Sequence, residues 1–287
     1  MNYIRHLTMV GLVWVTLSTS LVAQPDTVPQ RIISIVPALT EMLFAIGAGP
    51  QVIAVSSFDR SADVAALPRV GALLDPDMER VFVLRPDLVI TYGTQVEQQE
   101  QLARAAIPVF SYRHGGLADV TATMRELGEL TGHVDQARAV AAGIEQELTT
   151  IRARVANRRP PRTLLVFGRE PDAIRNVYAS GGIGFLHDML EAAGGSNIFA
   201  GVLREAAHPS SETILASAPE VIIELRADGA TENDIVRGTA AWQRFSTVPA
   251  VRGGRVHFLT GPELVVPGPR VAEVTRRIAE LLHPDAF

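Results

Sequence analysis

The sequence predicts an α/β fold of two Rossmann-like βα lobes joined by one long spine helix, with a ligand cleft between the lobes. Three observations carry this. Compact β-branched runs alternate with helical stretches of about ten residues, the pattern of βα crossovers and a parallel sheet. A proline-free stretch beginning at Val134 holds helical periodicity far longer than its neighbours. The second half of the chain then repeats the first in the same order.

Residues 1–23 read as a signal peptide. Arg5 and His6 form a polar start, residues 7–17 an apolar core too short to span a bilayer comfortably, and residues 18–23 a small-residue stretch. With no cysteine in the chain there is no site for a lipid anchor, so the mature protein is expected to be exported and free of the membrane.

Residues 24–132 are assigned to an N-terminal α/β lobe. Residues 31–36 (RIISIV) have the composition of a buried parallel strand. Pro37 ends it, and Thr40-Glu41 opens a helix closed by Gly47 and Gly49. Strands follow at 52–56, 87–91 (DLVIT) and 107–112 (IPVFSY), with a short helix from Asp77 and another over 97–106. Residues 117–130 make one more helix.

The spine is expected over 133–159. Val140, Ile144, Leu148, Ile151 and Val155 recur at three- and four-residue spacing, and Arg158-Arg159-Pro160-Pro161 stops the run. Residues 160–287 form the C-terminal lobe. There residues 188–194 answer 41–47, residues 212–223 answer 79–90, and residues 255–258 answer 107–110 more loosely. Two similar lobes facing each other place the cleft between them, where strand ends and βα loops converge.

Composition excludes several chemistries. A content of 47% hydrophobic and 20% charged residues suits a folded globular chain, and a net charge of −5 argues against nucleic acid. All 26 basic residues are arginine, which removes lysine Schiff bases and any phosphate-loop lysine. The absence of cysteine removes thiolate nucleophiles and Cys-ligated metals. Ser180-Gly181-Gly182 lacks the first glycine of a nucleophile elbow. Gly182 and Gly184 are not followed by the third glycine of a dinucleotide fingerprint, and no histidine pair has zinc spacing. The chain is therefore read as a binding protein and not an enzyme, with no intrinsic cofactor and no resident metal.

Candidate pocket residues come from strand ends and loops. His114 follows IPVFSY in Arg113-His114-Gly115-Gly116, and His208 precedes the Ser-Ser-Glu turn. Tyr92 and Tyr178 are each placed at a strand end, positions where a phenol faces the cleft or ligates ferric iron; each also suits an ordinary half-buried tyrosine.

Residues 31–47 (RIISIVPALTEMLFAIG), 84–90 (LRPDLVI), 105–109 (AAIPV), 194–199 (GGSNIF) and 267–270 (PGPR) resemble the helical-backbone substrate-binding proteins of ATP-driven (ABC) importers. The likeness runs in order from about residue 31 to 283. It implies a monomeric periplasmic protein that captures a metal-containing ligand, cobalamin, haem or a ferric siderophore, and delivers it to a permease. The pattern is nearest the cobalamin-binding branch, with Tyr92 standing where that branch carries a tryptophan. Ala206 stands at its second pocket tryptophan and Val265 at an acidic pocket residue. Siderophore-binding relatives surround an anionic complex with arginine and tyrosine, a role open to Arg113, Arg169 and Arg226, each after a predicted strand. Phe58 is counted with these ligand-binding candidates. The resemblance also implies docking through one acidic residue per lobe, Glu212 and Glu97, with Glu79 the rival that the internal repeat selects. Two other readings are a chelatase-like enzyme on the same scaffold and a binding module that senses instead of delivering.

Overall fold

The computed structural model describes residues 28–227 and 229–287; the signal-peptide reading lies outside the described residues. The first strand, β1 (Ile32–Ser34), is wholly buried, and α1 (Pro37–Ala45) follows it with Pro37 at its first turn, where the missing N–H costs nothing. Then come β2 (Val52–Val55), α2 (Met78–Val83), β3 (Leu88–Tyr92), α3 (Val96–Arg104) and β4 (Val109–Tyr112). These strands form a four-stranded sheet in the order β2-β1-β3-β4, parallel throughout.

Helix α4 (Leu117–Thr131) leads into α5 (Val134–Val155), whose 22 residues span about 33 Å. Ile144, Leu148, Ile151 and Val155 form its buried stripe as predicted, together with Ala137 and Ala141, while Val140 is only half-buried. Gly128 lets α4 and α5 approach closely, because a Cβ there would collide with Ala137.

Beyond the spine lie β5 (Arg162–Gly168), β6 (Tyr178–Ser180), α6 (Phe185–Ala192), β7 (Ser196–Asn197), β8 (Ala206–Ala207), α7 (Ser211–Ser217) and β9 (Val221–Arg226). The chain ends with α8 (Glu232–Gln243), α9 (Pro249–Arg252), β10 (Val256–Thr260) and α10 (Val271–Leu282). The second sheet runs β10-β9-β5-β6-β8, with β7 beside β5. Its path β7-β5-β9-β10, parallel throughout, matches β2-β1-β3-β4, and α6 and β7 follow β5 as α1 and β2 follow β1, so the repeat seen in the sequence is a repeat of topology. The C-terminal lobe adds two antiparallel strands that the first lobe lacks, β6 beside β5 and β8 beside β6. Tyr178 consequently opens a strand and does not close one, since Asn176 at φ 50° turns the chain just before it.

The lobes are not independent bodies. One apolar cluster runs from Ile32, Leu39 and Met42 through Met124, Ile144 and Leu148 to Phe185, Leu190, Ile223 and Ile278. The spine is its middle layer.

Candidate functional site

Strands β3 and β4 are in register at their ends, which sets Tyr92 beside Tyr112 with ring centroids 6.1 Å apart. The row continues through His114, 6.3 Å from Tyr112, to Phe185 at the start of α6, 5.1 Å further on and perpendicular to the imidazole. An aromatic row thus crosses from the first lobe to the second. A second row, Phe167, Tyr178 and His208, runs along the C-terminal lobe with centroid spacings of 6.2 and 4.5 Å.

Burial decides the electrostatics here. It pushes the Tyr92 and Tyr112 phenols above their ordinary range, so both remain neutral donors at neutral pH. It holds the His114 imidazole below its usual value, opposed by Glu205 and Asp119. Glu205 reaches to 4.0 Å from His114 Nε2.

Two cavities open between the lobes. The larger, about 800 Å³, has Glu41, Phe44, Phe58, Asp59, Arg60 and Asp63 on one side and Ala227, Pro262, Val266 and Arg270 on the other. Arg270 bridges the two sides, pairing with Glu41 at 2.8 Å and Glu263 at 3.3 Å. Asp59 is buried and accepts the Ser56 amide at 3.0 Å; burial pushes its carboxyl up to about 6 despite Arg69 nearby. The smaller cavity, about 280 Å³, is lined by His114, Phe167, Ile183, Phe185, Leu186, Glu205, Ala206 and Val265. Ala206 and Val265, where the resemblance sets the cobalamin branch's tryptophan and acidic residue, therefore line the same cavity. Small side chains there leave open a space that bulkier ones would fill.

The sequence candidates divide. Phe58, His114, Tyr92, Tyr178 and His208 lie in the cavities or the aromatic rows. Arg113 is exposed and packs over Gly93. Arg169 departs from the expectation of a cleft residue. Its side chain is 0% exposed and is committed to Glu224 at 2.9 Å and to the carbonyls of Glu170 and Pro171. Arg226, at the end of β9, pairs with the same Glu224. The buried carboxylate between two strand-end arginines is what draws both inward.

Glu79, Glu97 and Glu212 are all exposed first-turn residues. Glu79 and Glu212 occupy the second position of α2 and α7, the helices that precede the matching central strands β3 and β9. Each helix is capped the same way, by Asp77 onto the Arg80 amide and by Ser210 onto the Thr213 amide. Glu97 also occupies the second position of its helix, α3, whose counterpart is α8 and whose N-cap Gln95 makes no side-chain cap bond.

The sequence reading missed Tyr112, Phe185, Asp59, Glu205 and the Glu41–Arg270 pair. Tyr112 was visible in principle, because it ends its strand as Tyr92 ends DLVIT. Phe185, Glu205 and the Glu41–Arg270 pair depend on contacts between the lobes, and Asp59 on its burial, which no local pattern encodes.

Among the described residues no helix is long and apolar enough to cross a membrane, and no three His, Asp or Glu side chains gather as a metal site. A family model described as periplasmic binding protein matches residues 32–262. A vitamin B12-binding protein of Yersinia pseudotuberculosis is 28% identical over 240 residues, covering 83% of this chain and 82% of that one. In fold, the chain matches the periplasmic vitamin B12 binding protein of Vibrio cholerae with TM-score 0.76, at 23% identity over 89% of this chain and 97% of that one. A periplasmic heme binding protein from Pseudomonas aeruginosa matches with TM-score 0.77, at 23% identity over 91% and 95%.

Proposed function

The chain belongs to the periplasmic binding protein family, and on that premise we propose that it captures cobalamin or a related corrinoid and delivers it to the permease of an ABC importer. The observation that carries the choice of ligand is the charge of the larger cavity. Glu41, Asp59 and Asp63 oppose Arg60 and Arg270, and Arg270 is already shared by two glutamates. Such a lining offers no surplus of positive charge for haem propionates or an anionic ferric siderophore. It suits a large ligand rich in amides, which pairs with carboxylates and guanidinium groups alike. The B12-binding relative supports the same reading.

Delivery requires a docking surface, and the repeat supports Glu79 and Glu212 as the pair, one per lobe at matching helix starts; Glu97 is the alternative. Carboxylates presented this way meet arginines through charge-assisted bonds that orient the complex without a large apolar patch. Burial against the Glu224 carboxylate removes Arg169 from the ligand contacts, leaving Tyr92, His114, Tyr178, His208 and Phe58 as the pocket. The protein acts as a soluble periplasmic monomer once residues 1–23 are removed, and it performs no chemistry on its cargo.

Titration of the purified chain with cyanocobalamin, haemin and a ferric hydroxamate, followed by calorimetry and absorbance, tests this. Saturable sub-micromolar binding of cyanocobalamin alone is expected. Haemin binding with a shifted Soret band, and none of cyanocobalamin, overturns the ligand and turns attention to Tyr92, Tyr112 and His114 as axial ligands.

A further inference from the structure

The turn Gly115-Gly116 joins His114, in the wall of the smaller cavity, to helix α4. Two carboxylates converge on it. Asp119, on α4 itself, accepts the Gly116 amide at 2.7 Å. Asp188, on α6 of the opposite lobe and 71 residues away, accepts the Leu117 amide at 2.9 Å. Both glycines make room for this: a Cβ on Gly115 would collide with the Asp119 carboxylate, and one on Gly116 with that of Asp188. Phe185 lies three residues before Asp188, so both occupy one face of α6, and its ring contacts His114. Helix α6 therefore grips the same turn twice, once by an aromatic edge and once by a carboxylate.

We propose that Asp188 is a positioning residue: it caps α4 from the opposite lobe, and so fixes the separation of the lobes and the place of His114 in the cleft. The physical basis is the unpaired amides at the first turn of any helix, which a side-chain acceptor and a negative charge both stabilise. Caps ordinarily come from the residues at the helix's own start. Here one comes from across the cleft, so any motion that opens the lobes at this edge exposes an uncapped amide. Further opening must also break the contact between Phe185 and His114. The inference holds whatever ligand the cleft takes.

The test needs no ligand. The chain has no cysteine, so Leu74→Cys and Leu203→Cys, 92% and 78% exposed in the two lobes, give a unique spin-label pair. Electron–electron dipolar spectroscopy on this doubly labelled chain should show one narrow interlobe distance. Asp188→Ala should broaden it, raising the open-to-closed ratio about fivefold, equivalent to the roughly 1 kcal/mol of a side-chain cap. Asp188→Asn keeps an acceptor and should stay near the parent, while Gly116→Ala, which pushes Asp188 away, should behave as Asp188→Ala. Asp119→Ala removes only the local cap and should lower the melting temperature without broadening the distance. A parent-like distribution in Asp188→Ala overturns the proposal, as does equal broadening in Asp119→Ala, which would make the effect simple fraying. Should Asp188→Ala fail to fold, Gly116→Ala decides: broadening supports the interlobe cap and a parent-like distance sinks it.

Discussion

Arg270 and Glu41 meet at 2.8 Å and join the C-terminal lobe to the first helix of the N-terminal lobe. Both line the larger cavity, and Arg270 is also held by Glu263, which in turn holds Arg277 at 2.6 Å. The cleft is thus crossed by an ion-pair network at one place and by the Asp188 cap at another, with the continuous apolar core beneath.

Breaking the first tie should cost little stability. The Arg270 side chain is 41% exposed, so solvent screens the pair and its loss is expected to cost at most about 1 kcal/mol. Arg270→Gln should then lower the melting temperature by roughly 2–4 °C in low salt. The difference from the parent should shrink at high ionic strength. A loss that is large and independent of salt would mean that Arg270 supports the fold by packing.

Asp59 makes stability depend on pH. Its folded pKa of about 6 lies above the ordinary 3.8, chiefly because burial disfavours the charged form. A raised pKa stabilises fully below the unfolded value and loses that contribution as pH rises through the folded one. The parent should therefore lose stability between about pH 4 and pH 6.5 on this account, by on the order of 2 kcal/mol. Asp59→Asn should flatten that slope and be the more stable protein at pH 7.5, measured by urea unfolding across the range. Parallel pH profiles for the two chains would contradict it.

Most of the fold was legible because it rests on local periodicity. The spine followed from the spacing of Ile144, Leu148 and Ile151, and the lobes from β-branched runs ending in proline or glycine. The antiparallel β6 was not legible, since its direction is set by a turn at Asn176 that carries no glycine. Of the site, the strand end Tyr92 and the loop residue His114 were readable as positions. Arg169 looked the same in sequence as a cleft arginine. Only its partner Glu224, 55 residues away, shows that it turns inward.

Docking is tested by charge reversal. Glu79→Arg and Glu212→Arg should each reduce cyanocobalamin-dependent growth by at least about tenfold when the chain is expressed with its permease and ATPase. Cyanocobalamin affinity of the purified variants should remain unchanged, because neither residue lines a described cavity. Glu97→Arg should have a small effect. If uptake falls with Glu97→Arg and survives Glu79→Arg, the topological pairing is the wrong guide to the docking surface.

Glu224 should be the most sensitive single position in the C-terminal lobe. It is buried, and one of its oxygens accepts both Arg169 Nε and Trp242 Nε1 at 2.9 Å, while Arg226 pairs with the other. Glu224→Leu would leave the wholly buried Arg169 charge without its counterion, a change that costs about 3–5 kcal/mol when one partner of a buried pair is removed. Urea unfolding should register that loss. Expressed without residues 1–23, the chain keeps Trp242 as its single tryptophan, so the emission should shift as the indole loses its acceptor. Adding Arg169→Met to Glu224→Leu removes the stranded charge as well, and should recover part of the stability. If the double variant is no more stable than Glu224→Leu alone, the cost lies in packing around Trp242 and not in the unpaired guanidinium.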